Sequence, residues 1–149
     1  MNKEKLFDAF ICAGGGLFGF LFGEVNGLFY ALTAFILLDY LSGVMKAIYL
    51  KKLSSEVGFR GICKKVTIFI IVAVANIIDV HIIKDGSVMR SAVMFLFIAN
   101  EGISLLENAG ELGVPVPEKL LDVLKQLRAD NSKNADKSVD TYNKNESED

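Results

Sequence analysis

Asp39, Asp79 and Glu101 stand out because each carboxylate lies in or beside a run of uncharged apolar residues. Acids so placed do acid–base chemistry when a nucleophile, a second base or a metal stands beside them, and this chain offers few such partners. His81 is its one histidine, a poor basis for a nucleophile–base pair or a three-ligand zinc site. Cys12 and Cys63 are 51 residues apart, which is neither a metal-ligand nor a redox spacing, and both border apolar runs as packing residues do. The triplet Gly14-Gly15-Gly16 lacks the Gly-Lys-Ser/Thr that follows in a phosphate loop. Catalysis, a cofactor and a bound metal are therefore not expected.

The other use of a carboxylate in an apolar run is structural. Asp39 is the one charge in Val25–Met45, a run long enough to cross a bilayer. An ionised Asp near the middle of a spanning helix costs about 2.5–3.5 kcal/mol, so it normally faces other helices or a water-lined space. The rest of the chain must supply that bundle. With 149 residues, 52% of them hydrophobic, the chain exceeds the apolar content of ordinary soluble domains. The excess is segregated: residues 129–149 hold three Lys and six acids with few apolar side chains, and are expected to form a disordered polar tail. The net charge of −2 comes from that tail, since residues 1–128 carry 13 basic and 12 acidic groups. Nothing in this balance indicates nucleic-acid binding.

Four apolar blocks precede the tail. The expected class is an all-α membrane protein of three to four transmembrane helices, four favoured, in a domain spanning 1–110. The spans fall at about 7–23, 26–46, 66–83 and 88–106. The first is short for a crossing and would need thinning of the bilayer or oligomerisation. Lys3 and Lys5 precede it as in a signal peptide, but no Ala-x-Ala site follows. Gly15, Gly19, Gly23 and Gly27 recur every fourth residue, a register that lets helices approach closely, although Gly23–Gly27 would also suit a turn; Gly43 is a further packing glycine. Blocks one and two would form a tight helical hairpin.

The segment 46–65 carries Lys46, Lys51, Lys52, Arg60, Lys64 and Lys65 against Glu56 alone. Basic loops stay in the cytoplasm, so these residues are expected to set the topology and to put both termini there. Asn76 and Asp79, spaced i, i+3, would line a polar interface or mark the outer helix boundary, with Lys84–Ser87 as an external turn. In block four, Asn100, Glu101, Ser104 and Asn108 follow a clean apolar centre, and Glu101, Ser104 and Asn108 form a stripe suited to a water-facing wall or to an interfacial helix. Residues 111–128 are expected to form a short cytoplasmic amphipathic helix that can begin at Pro117, with Leu120, Leu124 and Leu127 on one stripe.

Five ordered motifs go further. Asp39-Tyr40-Leu41-Ser42-Gly43, the run 53–61 (LSSEVGFRG), the run 85–90 (DGSVMR), the run 98–108 (IANEGISLLEN) and Gly113-Val114-Pro115-Val116-Pro117 together resemble the bacteriophage holin family of the toxin secretion/phage lysis type. The resemblance covers about residues 25–127, leaving the first block and the tail outside it. It implies a multi-pass protein of the bacterial inner membrane that assembles with itself into large lesions. An endolysin, or a toxin, would escape as cargo without direct contact, and an antiholin is a possible partner. Asp39, Asn76, Asp79, Asn100, Glu101 and Ser104 are then the intramembrane polar residues of assembly, with Asp39 and Glu101 tucked between helices before assembly and lining a wet rim after it. A selective ion channel or transporter and an antiholin are the alternatives. A catalytic lysis protein fits least, for want of a substrate groove beside the carboxylates.

Overall fold

In a computed structural model, residues 3–84 and 86–130 are described, and they are almost entirely helical. Helix α1 spans Lys3–Phe22, α2 Gly27–Tyr49, α3 Ser55–Ile78 with a further π-helical turn at Asp79–Ile83, and α4 Val88–Glu111. A fifth helix, α5, covers residues 118–130. The expected all-α class is therefore what the chain adopts. Among the described residues α2, α3 with its π-helical turn and α4 are long and apolar enough to cross a membrane, whereas the apolar part of α1, Ile11–Phe22, is shorter. The expected polar tail lies outside the described residues from 131 onward, and so does Asp85 of the external turn.

Each long helix starts where a side chain meets its first free N–H groups. Asn26 accepts from the Phe29 N–H at 3.1 Å, and Ser54 accepts from the Val57 N–H at 3.2 Å. For α4 the cap comes from elsewhere in the chain. Asp79 accepts from the Met89 N–H at 2.9 Å and from the Arg90 N–H at 2.7 Å, placing a carboxylate at the positive end of the helix.

The core is built at helical spacing. Phe29, Leu32 and Ile36 of α2, Ile68 and Val72 of α3, and Met94 and Ile98 of α4 interlock between the three long helices. The outside is equally apolar, with Leu37, Leu41, Ile70 and Val74 half exposed or more. Such a surface suits lipid, where helices associate by close packing and polar contacts because the hydrophobic effect no longer distinguishes inside from outside. The α2–α4 pair is the most extensive contact, and Gly43, Ala99 and Gly102 lie along it.

Two expectations change. The first two blocks do not form a hairpin along their length: the main neighbour of α1 is α3, and Phe18 and Phe22 meet Phe29 near the connecting turn at ring separations of 5.9 and 5.6 Å. Nor do Gly15, Gly19, Gly23 and Gly27 form one helical stripe. Gly23 leaves the helix with φ +68°, a left-handed conformation that ends α1, while Gly15 and Gly19 face open space. Asn26, Asn76 and Arg90 set the position of that turn.

Helix α5 folds back on the bundle. Leu124 is buried over Gly102, where a Cβ would lie 2.9 Å from its Cδ1 and 3.0 Å from Phe35. The absent side chain of Gly102 is therefore the seat of Leu124.

Candidate functional site

Asp39 and Glu101 meet. Asp39 lies on α2, Glu101 on α4, and both carboxylates bind the ammonium of Lys65 from α3, so one buried cation ties the three long helices together. Glu101 is 2% exposed and Asp39 7%, which leaves water little part in balancing these charges. Asn108 extends the cluster: its Nδ2 donates to Asp39 Oδ1 at 3.2 Å and to Ser42 Oγ at 3.0 Å. Ser42 in turn donates to the Asp39 carbonyl at 2.9 Å. Gly43 lies beside Asn108, which a Cβ there would meet at 3.7 Å.

Helical geometry explains the convergence. Asp39, Ser42 and Gly43 are spaced i, i+3, i+4 and so occupy one face of α2; Glu101 and Asn108, seven residues apart, occupy one face of α4. Lys65 has aliphatic length enough to bury its stem and deliver its charge between them. One cation against two anions leaves a formal charge of −1. Removing a partner from such a buried set is costly, although the set itself is not thereby strongly stabilising.

A second polar cluster lies at the other end of the bundle. Besides capping α4 through Asp79, it ties down the α1–α2 turn: Asn76 Nδ2 donates to the Phe20 carbonyl at 3.2 Å, and the Arg90 guanidinium donates to the Glu24 carbonyl. Arg90 Nε is buried without a hydrogen-bond partner among the described residues. The seven-residue apolar core separates the two clusters.

The residues singled out by sequence thus divide. Asp39, Glu101 and Asn108 come together, and Ser104 lies beside them on α4, half-buried. The α4 stripe faces α2 and α3, not a water-facing wall of this chain. Asn100 is half-buried and away from the triad's hydrogen bonds; Asn76 and Asp79 serve the opposite end. Of the basic residues, Lys51, Lys52, Arg60 and Lys64 are exposed, and Lys46 bridges Glu111 at 3.1 Å. Lys65 is the exception. Grouped with the topology-setting charges by sequence, it is the centre of the triad, and Arg90 enters the sequence reading only as the last residue of the run 85–90. A signal for Lys65 existed: two carboxylates in spanning segments require a cation, and it is the lysine nearest the apolar part of α3. Among the described residues no group of three or more His, Cys, Asp or Glu is placed to hold a metal ion.

Helices with a lipid-compatible exterior and an ion-paired interior define a small all-α membrane protein. The chain belongs to the bacteriophage holin family, whose profile matches residues 16–129. It is similar to a Listeria monocytogenes protein, 47% identical over 110 residues, 74% of this chain and 78% of the relative. A 14.9 kDa protein of Clostridium perfringens is 46% identical over 114 residues, 76% and 86% of the two chains. A protein of Bacillus phage phi105 named probable holin is 37% identical over 118 residues, 79% and 86% of the two chains. No solved structure matches.

Proposed function

We propose that this protein is a lesion-forming holin of the bacterial inner membrane: copies associate and open non-selective holes through which a cytoplasmic endolysin or toxin passes. The observation that carries the reading is the Asp39–Lys65–Glu101 triad, supported by the family and by the phage relative named a probable holin. Charges in a spanning segment need one another or water. In a separate copy the triad closes on itself; in an assembled ring the same face turns toward water, where each charge is solvated without its partner. The two states thus offer the polar groups alternative satisfaction, which permits a switch between them. The role is non-enzymatic.

The basic end of the bundle, from Lys46 to Lys65, faces the cytoplasm in this reading, as the retention of Lys and Arg on that side requires. The α1–α2 turn then lies outside, and the chain after α4 returns to the cytoplasm.

Inducible expression in a bacterium, following turbidity and release of a cytoplasmic reporter enzyme, tests the reading. A holin releases the enzyme abruptly, and earlier when a membrane-depolarising agent is added. Ion leakage with the enzyme retained would instead identify a selective channel, and expression without killing an antiholin. Within the holin reading, Asp39→Asn and Glu101→Gln shift the moment of lysis; normal timing in both variants would remove the triad from the mechanism.

A further inference from the structure

We propose that the cavity at the basic end of the bundle is a binding site for an anionic phospholipid, with its phosphate-bearing headgroup inside and its acyl chains in the surrounding bilayer. The cavity, about 220 Å³, opens between α2 and α3, with Ser104 and Asn108 of α4 behind it. The apolar part of its wall is formed by Val44, Ala47, Leu53 and Val57 with the Tyr40 ring. Gly58 and Gly61 provide the space: a Cβ on Gly58 would meet only the Tyr40 hydroxyl, at 3.8 Å, and one on Gly61 would meet the Tyr40 ring, at 3.3 Å.

Charge decides the ligand. Lys46, Lys64 and Lys65 line the cavity with Asp39; Lys65 is held between Asp39 and Glu101, and Lys46 bridges Glu111 at the rim. Lys64 has no ion-pair partner among the described residues, and the Glu111 partner of Lys46 is half exposed, so these two rim cations are the ones open to a phosphate. Basic pockets between spanning helices suit phosphate headgroups. The apolar part of the wall, and the exposed Leu41, Ile48 and Ile62 on the same two helices, favour a ligand with a hydrocarbon part over a free phosphate. The site does not depend on the lesion-forming role.

Native mass spectrometry of the full-length protein, extracted in a non-ionic detergent and offered equal phosphatidylglycerol and phosphatidylcholine, reads the site directly. The unmodified chain retains phosphatidylglycerol with a preference of about tenfold or more, the scale two lysines supply near a surface. Lys46→Gln combined with Lys64→Gln abolishes the preference, and so does Gly58→Leu, which fills the cavity while keeping every charge. Lys51→Gln with Lys52→Gln, outside the cavity, leaves the preference in place. Loss of preference in this last variant equal to that of the cavity variants, or full retention in a helical Gly58→Leu protein, would overturn the site in favour of diffuse surface attraction. On the unmodified chain, displacement by glycerol 3-phosphate as effective as by phosphatidylglycerol would overturn a lipid as the occupant.

Discussion

At the scale of single residues, the deciding feature is one ammonium between two carboxylates. Asp39 was legible in the sequence because it stands alone in an apolar run, and Glu101 because it follows one. Lys65 was hidden among six basic residues, five of which do lie on the surface or rim of the bundle. Sequence spacing cannot phase three separate helices against one another, so the pairing of residues 26 and 36 positions apart emerges only in three dimensions. The consequence is measurable. Lys65→Met leaves two carboxylates buried together and lowers stability in detergent by about 3–5 kcal/mol, whereas adding Asp39→Leu and Glu101→Leu restores most of the loss. Reversible unfolding monitored by circular dichroism distinguishes these cases, and a Lys65→Met protein as stable as the parent would mean the triad does not hold the helices.

At the scale of elements, the apolar periodicity showed the helices, and their starts at Asn26 and Ser54 follow from local capping. The start of α4 does not, because its cap comes from Asp79 on a π-helical turn ahead of the intervening link. The glycine register left a stripe and a turn open for a similar reason: a period of four is indifferent to whether the helix continues, and Gly23 ends it in the turn. Gly23→Ala therefore costs stability, since the left-handed φ is strained for a side chain and Asn76 occupies the space, by about 1–2 kcal/mol. Gly15→Ala and Gly19→Ala, in open helical positions, raise the stability of the separate chain by up to about 1 kcal/mol each. Gly102→Val acts on α5 and, through Phe35, on the α2–α4 contact. It closes the seat of Leu124, and amide hydrogen exchange rises more over residues 118–130 than in α2, which the valine presses only at Phe35.

At the scale of the whole molecule, two polar clusters bracket an apolar core, one pinning the α1–α2 turn and the other joining the three long helices. Under the proposed function, that arrangement satisfies the polar face within a separate copy, and water would replace the ion pairs once copies assemble. The most direct measurement uses Ser42→Cys, nearly isosteric and buried beside the triad, after replacement of the exposed Cys12 and Cys63 by Ala. Intact cells expressing this variant are treated with a membrane-impermeant thiol reagent before and after the onset of reporter-enzyme release. Opening of the triad face predicts a thiol protected before onset and labelled after it; a thiol that stays unlabelled while the enzyme escapes would contradict the proposed switch.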